Sequence, residues 1–548
     1  MDLKTMIIEL LARIPLLFSG LFLFSFLLIL VDYARMLFLR RRLPPGPFPF
    51  PIVGNHFQLP KTRPWIEWEK WAGYYNNPMT TIWVGRHPRI LLQDAWVASE
   101  LMEKRADIWS SRPRLIVMGD LINATETNQT TLVYGDRWRV HRKLMHTAVG
   151  SQAVRNHRAI QANEPKVLIR DILEEPDDYV LSIERYSVSA TSIIGWGRHI
   201  DRKNDYVAQQ ALAIMEGVNF VVPGKYLMEA LPALTKLPSW IYALPNTIRG
   251  TTTMLQKYFY MLSQEGAESK WNNFSKVLLN GQETYGLSDV EVAGLTANLI
   301  GGGVDTTSST MISCILAMAV FPDVQRKAQA EIDYVVGDNA SPNWEDVDGK
   351  LPYCTALVKE TLRWRTVTVL AGIPHANTVD FDYRGYHFPA GTNITGNIWA
   401  IHRHPRDFPE PDNFRPERFL NGLERPYLNN KGMNPFGWGR RQCSGQPLAE
   451  QGLLYSLTRL LWAFDIKPGL DDKGHEVKLD IFAYTDSENM RPEPFKARFA
   501  PRTERIRGLI VNEAASAREE LRVYDGETRL TLEDALQALA SDKKLAKA

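Results

Sequence analysis

The residue with the clearest chemical setting in this 548-residue chain is Cys443. It lies in the segment NPFGWGRRQCSGQPLAE, where glycines stand on both sides and two arginines precede it. Glycines allow a tight turn and a close approach of backbone to a bulky flat ligand. A helix that begins just after Cys443 places the sulfur at its positive end, and that helix end and a nearby arginine both lower the pKa of a thiol. The pattern predicts a thiolate metal ligand, and the alternative is a cysteine buried in a loop.

A second candidate is the run GGGVDTT, from Gly301 to Thr307, inside an apolar stretch from Leu295 to Val320. Each glycine in a helix interior costs about 1 kcal/mol relative to alanine. Such a run therefore indicates that something large lies against the backbone, and Asp305 and Thr306 would offer a carboxylate and a hydroxyl beside it. The alternative is a helix N-cap or a turn, which the long apolar continuation disfavours.

The order Phe436-x-x-Gly439-x-Arg441-x-Cys443-x-Gly445 resembles the haem-binding loop of the cytochrome P450 family, with every fixed position filled. This resemblance implies that Cys443 is the proximal iron ligand of haem b, iron protoporphyrin IX, and that Phe436 belongs to the same cofactor-binding loop. In that family, electron donation from the thiolate favours O–O cleavage.

The glycine run is similar to the helix that lies over the haem in this family. By that resemblance, Thr306 hydrogen-bonds the oxygen molecule and Asp305 helps to relay protons to it. The resemblance extends from about Leu43 to Pro501, with its motifs in the family's order.

Cationic and aromatic residues elsewhere resemble the family's contacts to the haem propionates. Trp138 and Arg142 are four residues apart and share a helix face, His375 follows a proline, and Arg441 lies beside Cys443. Arginine can bind a carboxylate with two bonds, and histidine can donate one. The basic residues next to Arg142 predict either a solvated face or a docking face for an acidic electron donor: Arg137, Arg139 and Lys143.

Glu360 and Arg363 are three residues apart on one face of a predicted helix and can pair. With Arg418 they resemble a structural network of the same family. We expect this network to brace the loop that carries Cys443 and to take no part in the chemistry.

The elements that must position these residues predict a mainly α protein with small β-sheets, the cytochrome P450 fold. Thr80–Val84 and Arg89–Gln93 flank a turn and predict a hairpin. Amphipathic helices are expected from about Ala95 to Trp364, and strands return between Phe381 and Asn397. A helix from about Gln446 to Phe464 follows the cysteine loop.

An uncharged apolar segment, Ile14–Val31, precedes this fold and predicts one transmembrane helix. The arginines that follow it place the rest of the chain in the cytosol, here at the endoplasmic reticulum membrane in a single-pass topology. A signal peptide and a buried core helix are the alternatives. Three prolines between Pro44 and Pro47 predict a stiff spacer.

We therefore expect a membrane anchor over residues 1–42, a catalytic domain over 43–502 and a charged C-terminal appendage over 503–548. The formal net charge of +2 gives no overall field for nucleic acid, and none is expected as a partner. Three cysteines are too few for a disulfide framework and favour a reducing compartment. We expect a monomer.

The implied activity is a monooxygenase that takes electrons from NADPH through a cytochrome P450 reductase, because no dinucleotide-binding motif occurs in a suitable context. A lipophilic substrate is expected, and the sequence resembles those of filamentous-fungal enzymes of secondary metabolism. The alternatives are a reductase-independent isomerase or dehydratase of peroxides and a non-catalytic haem sensor. The expected lining of the substrate pocket is mostly apolar: Met118–Thr130, Asn298, Leu299, Thr368–Ile373 and the turn near Tyr484.

Overall fold

The structure is a computed structural model that describes residues 3–215, 219–220, 222–337, 340–420, 423, 427–526, 528 and 530–545. Residues 1–2 of the predicted anchor and residues 546–548 of the predicted appendage lie outside the described residues.

The helices account for most of the described chain. In order they are α1 Leu3–Arg40, α2 Pro64–Tyr74, α3 Ala95–Ser99, α4 Ala124–Thr127, α5 Asp136–Val149, α6 Arg158–Glu174, α7 Tyr179–Trp196, α8 Tyr206–Met215, α9 Leu227–Ala230, α10 Leu244–Glu268, α11 Phe274–Asn280, α12 Gln282–Tyr285, α13 Asp289–Val320, α14 Pro322–Val336, α15 Trp344–Lys350, α16 Pro352–Trp364, α17 Ile398–Ile401, α18 Gln446–Ala463, α19 Glu504–Leu521 and α20 Leu532–Leu545.

The strands form small sheets at the edge of the helical body. They are β1 Met79–Val84, β2 His87–Leu92, β3 His375–Ala376, β4 Phe381–Tyr383, β5 Tyr386–Phe388, β6 Asn393–Gly396, β7 Phe464–Pro468 and β8 Ala497–Pro501. The first two pair antiparallel as the predicted hairpin, and β6 and β3 extend it to the order β1-β2-β6-β3. The predicted fold class, mainly helical with small sheets, is confirmed.

Helix α13 is the central helix of the body and packs against α7 and α10. A capping box starts it: the N–H of Ser288 donates to the Glu291 carboxylate at 2.8 Å, and the N–H of Glu291 donates to the Ser288 hydroxyl. This apolar helix is buried inside the protein, where 72% of its most hydrophobic part is covered. The same Glu291 also pairs with Arg137, so this basic residue takes part in the fold.

Helix α1 contains an apolar stretch, Phe18–Arg40, with a mean hydropathy of 2.0, of which only 6% is buried. It is long and apolar enough to span a membrane. The spacer that follows is fixed against β1, because Thr81 donates to the carbonyls of Pro44 and Pro45 at 2.7 and 2.9 Å. A Cβ on Gly46 would lie 1.9 Å from the Thr81 carbonyl oxygen, so glycine is required there. The predicted stiff spacer is therefore packed against the sheet from its first residues.

The C-terminal segment is packed more closely than the expected appendage. Helix α19 lies along α6 and buries Ile510, Ala514, Ala517 and Leu521, which are spaced as a helical stripe. Its Glu513 pairs with Arg459 of α18, whose side chain is 1% exposed. The high density of charges on the other face of α19 obscured this apolar stripe in the sequence.

This packing predicts different outcomes for two leucines of the C-terminal segment. We expect Leu521→Ala to lower the free energy of unfolding by about 2–5 kcal/mol, because Leu521 is a core side chain. Leu536→Ala is the matched control, since Leu536 is 51% exposed on α20 and should lose little. Thermal denaturation of the haem-loaded protein measures both, and equal midpoints for the two variants would contradict the packing of α19.

Candidate active site

One large cavity lies between α13 and the loop before α18, with a volume of about 970 Å³. This is near the upper end of the usual range for small-molecule sites. Gly302 and Gly303 of α13 line it, together with most of the predicted site residues. Those that line it are Thr306, Trp138, Arg142, His375, Phe436, Arg441 and Cys443.

The loop around Cys443 has the tight geometry that its glycines predict. Gly437 and Gly439 have φ values of 77° and 56°, in the left-handed region that favours glycine. A Cβ on Gly439 would lie 2.3 Å from the Met102 carbonyl oxygen. The N–H of Cys443 donates to the Phe436 carbonyl at 3.0 Å, which closes the loop before α18 begins.

The thiol of Cys443 has free surface where it faces the cavity, while the other two cysteines are buried in the core. The surrounding protein nevertheless makes burial the largest influence, and burial raises the pKa of the thiol. The N–H groups of Gly445 and Gln446 and the charge of Arg142 act in the opposite direction. The expected net lowering is therefore wrong for the protein alone, and the arginine that favours the thiolate is Arg142 rather than Arg441.

Three arginines, Arg112, Arg142 and Arg441, line the cavity without an ion pair to any carboxylate that the structure describes. Burial lowers the pKa of all three, and at Arg112 repulsion from Arg441 adds to this. At Arg441, burial and a smaller repulsion from Arg142 lower the pKa to about 9. Buried cations without counter-charges are costly. The arrangement fits a ligand that carries carboxylates, as the propionates of a haem would. The neutral groups that accept from these arginines are in Ser110, Gln129, Thr130, Leu132, Ile373, Pro374 and Ser444.

Arg112 is the member of this set that the sequence prediction missed. It lies in the run SSRPR, and its guanidinium donates to the carbonyls of Ile373 and Pro374 at 2.5 and 2.9 Å. The proline that follows it was the only local signal, and it does not specify burial.

Trp138 and His375 lie in the same wall. The guanidinium of Arg441 stacks over the Trp138 ring at 4.8 Å. His375 donates from Nδ1 to the Trp109 carbonyl at 2.8 Å, and burial, together with Arg112, holds its pKa well below the usual value. A neutral His375 therefore presents Nε2 as an acceptor, so it can donate to a carboxylate as expected only after it takes up a proton.

The glycines of α13 serve two different surfaces. A Cβ on Gly302 would meet open space, whereas one on Gly303 would lie 2.4 Å from the Thr191 side chain of α7. Gly302 therefore leaves room in the cavity, and Gly303 permits close helix packing. The helix continues through this point, and the Thr306 hydroxyl donates to the Gly302 carbonyl at 2.6 Å.

Asp305 is the predicted site residue that does not line the cavity. Its carboxylate accepts from the Asn489 amide at 2.8 Å, and Asn489 does line the cavity. Burial raises the pKa of Asp305, and Arg491 partly opposes this. Asp305 is therefore separated from the cavity by an amide.

The cavity surface is mostly apolar, as expected, and polar groups stand at particular places on its substrate side. The amides of Asn128 and Asn298 exchange two hydrogen bonds, of 3.0 and 3.3 Å, across the cavity wall. Tyr484 is buried with its hydroxyl on Ser313 and lies outside the lining. The further polar residues that sequence reasoning missed include Thr191 of α7 and a face of α10: Thr247, Thr251, Thr252 and Gln256.

The predicted brace is present and fully buried. Arg363 makes two bonds of 2.7 Å to Glu360, and Arg418 lies 3.5 Å from the same carboxylate. The N–H of Arg415 also donates to Glu360 at 2.9 Å. One carboxylate thus joins α16 to the segment that leads toward the cysteine loop.

This geometry predicts that Glu360→Gln lowers the free energy of unfolding by about 3–5 kcal/mol, because two buried arginines lose their counter-charge. Glu67→Gln is the matched control, since the pair of Glu67 with Lys70 is exposed. The thermal midpoint and the yield of haem-loaded protein measure the effect. An unchanged midpoint for Glu360→Gln would show that the brace is dispensable.

The comparisons with known proteins agree with this geometry. The family model described as Cytochrome P450 matches residues 44–488. Cytochrome P450 monooxygenase 58 of Postia placenta is 32% identical, over 85% of this chain and 90% of that protein. A cytochrome P450 monooxygenase of Armillaria gallica is 33% identical, over 86% and 93%. Tryptamine 4-monooxygenase of Psilocybe cyanescens is 32% identical, over 85% and 94%. The chain therefore belongs to the cytochrome P450 family and is a P450 monooxygenase.

Proposed function

We propose that the chain is a membrane-anchored haem-thiolate monooxygenase that inserts one oxygen atom of O₂ into a lipophilic substrate of fungal secondary metabolism. The observation that carries this proposal is the cavity that brings the Cys443 thiol together with three uncompensated arginines and the open face of Gly302. A metal-binding thiol, an anion site and space for a flat ligand are what a haem requires.

When bound, the haem supplies the binding of dioxygen and its activation by electrons. The Cys443 sulfur would hold the iron, with the N–H groups at the start of α18 and Arg142 favouring the thiolate. Arg112 and Arg441 would hold the propionates together with Arg142. Phe436 and Trp138 would contribute ring contacts to the same pocket, and His375 would bind a propionate once protonated.

The reaction adds one oxygen atom to a C–H bond and releases the other as water, which consumes two electrons and two protons. The chain must supply the protons at the cavity. Asp305, whose pKa is raised by burial, is suited to hold a proton, and Asn489 lies between it and the cavity. The Thr306 hydroxyl would hold a proton in the cavity after it exchanges its bond to the Gly302 carbonyl.

The electrons would come from NADPH through a cytochrome P450 reductase bound at the same membrane. The exposed apolar stretch of α1 supports residues 1–42 as an anchor in the endoplasmic reticulum membrane. Residues 43–502 would then form a cytosolic catalytic domain, with 503–548 as a C-terminal extension whose helix α19 packs against α6. The protein would act as a monomer.

A spectrum of the reduced protein with carbon monoxide tests the ligand. We expect a Soret band at the thiolate position, and we expect Cys443→Ser to lose it. Cys354→Ser is the control, because Cys354 is buried away from the cavity and should keep the band. Bound haem without this band in the natural protein would remove Cys443 as the ligand.

Consumption of NADPH with added reductase then tests the reaction. A monooxygenase consumes NADPH and O₂, whereas an isomerase or dehydratase of peroxides, or a haem sensor, turns over no NADPH. A thiolate band without NADPH consumption would favour one of these alternatives.

Thr306 provides the test of proton supply. We expect Thr306→Ala to lower the fraction of NADPH that is used for substrate oxidation by roughly 100-fold, because a positioned proton donor is lost. Hydrogen peroxide, measured per NADPH consumed, should rise. Thr306→Ser keeps the hydroxyl and should restore coupling. Equal peroxide yields for the alanine and serine variants would exclude the hydroxyl from proton supply.

A further inference from the structure

A buried carboxylate that the proposed mechanism does not use lies in the cavity wall. Glu488 has no exposed surface, and its residue is part of the cavity lining. Its Oε1 atom accepts from the N–H groups of Leu370 and Gly372 at 3.2 and 2.9 Å. Its Oε2 atom is buried and has no hydrogen-bond partner in the described part of the chain. An unsatisfied buried carboxylate oxygen is rare and needs an explanation.

The charges around Glu488 leave it without a cation. Asp305 is the charged neighbour that acts on it, and Asp305 is also a carboxylate. Arg491, which acts on Asp305, already pairs with Glu184 of α7 at 2.8 Å. Lys225 is a further cation of the cavity lining, and its Nζ donates to the carbonyl of Asp486, two residues before Glu488, at 3.0 Å. Neither Arg491 nor Lys225 bonds to the Glu488 carboxylate in the described part of the chain. Burial, with a smaller contribution from Asp305, raises the pKa of Glu488 to about 7.

The wall that Glu488 holds is strained. Ala371 has a φ of 60° and lies between the two residues whose N–H groups donate to Oε1. A left-handed alanine costs roughly 1–2 kcal/mol, and such strain is found mainly at functional sites. Asn489 and Thr368 complete this part of the wall, joined by a hydrogen bond of 3.1 Å.

We propose that Glu488 is a specificity-determining residue that pairs with a protonated amine of the substrate. This rests on the proposed function and narrows the substrate class to an apolar body with a basic nitrogen. The Oε2 atom would accept a hydrogen bond from the ammonium. The ammonium would also supply a positive charge, which no described side chain provides at this carboxylate. The cavity borders this wall, and the described protein groups around Oε2 offer no donor.

The test compares two probes of equal size on the haem-loaded protein, phenylbutylamine and phenylbutanol, by titration of the haem absorption. We expect the amine to bind at least about tenfold more tightly than the alcohol, because the alcohol leaves the buried carboxylate without a counter-charge. Glu488→Gln keeps the oxygen for the two N–H groups and removes the charge. We expect this variant to bind the amine and the alcohol with about equal affinity. Its affinity for the alcohol should stay within about threefold of that of the natural protein.

Glu229→Gln is the matched control. Glu229 is half-buried, and its carboxylate also accepts from two backbone N–H groups, those of Ile116 and Val117, but it does not line the cavity. This variant should keep the preference for the amine. If Glu488 only braces the wall, Glu488→Gln will weaken both probes alike, and that result overturns the proposal.

The natural protein alone also decides the question if Glu488→Gln fails to fold. Equal affinity for the two probes overturns the inference, as does an absorption change that shows the amine nitrogen bound to the iron. The thiolate band with carbon monoxide is recorded first on the same samples. Its absence overturns the proposed function and this inference together, whereas its presence without an amine preference overturns this inference alone.

Discussion

Three half-buried guanidinium groups line one cavity with no described carboxylate to balance them. Burial opposes the charge of Arg112, Arg142 and Arg441, and repulsion within the set adds to that cost. Folded proteins are stable by only about 5–15 kcal/mol, so uncompensated buried cations are a large burden. A dianionic ligand removes the burden and stabilises only the folded state, which couples cofactor binding to stability. The fold is thus suited to exist with its cofactor.

The same arginines hold distant segments of the chain together. Arg441 joins the cysteine loop to the carbonyls of Ser110 and Leu132, while Arg112 joins its own segment to the residues before β3. Glu360 joins α16 to Arg415 and Arg418, in the segment that precedes the cysteine loop. The proposed haem site is therefore the place where non-local parts of the fold meet, and the cations there both bind and crosslink.

Features whose cause is local could be predicted from the sequence. The left-handed turns at Gly437 and Gly439 and the hairpin arise within a few residues, and the glycine run of α13 indicated a close approach without identifying its partner. Arg112 could not be predicted, because its role depends on carbonyls more than 250 positions away in the sequence. The bond of the Asp305 carboxylate to Asn489 and the raised pKa of the Cys443 thiol depend on other elements that pack around these residues. The α19 stripe was missed because its core face becomes evident only once α6 lies beside it.

The segment Leu370–Pro374 of the cavity wall contacts both Glu488 and Arg112. Glu488 accepts from the N–H groups of Leu370 and Gly372, which flank the strained Ala371, and Arg112 donates to the last two carbonyls of the segment. Glu488 is buried and Arg112 is half-buried, and each side chain bonds to the backbone, so neither charge neutralises the other. An anionic cofactor would balance Arg112, and a cationic substrate would balance Glu488. Because both act through five consecutive residues, the cofactor that fixes the carbonyl side of the wall also fixes the position of the N–H side. Specificity at Glu488 would therefore depend on a wall that the cofactor has already ordered.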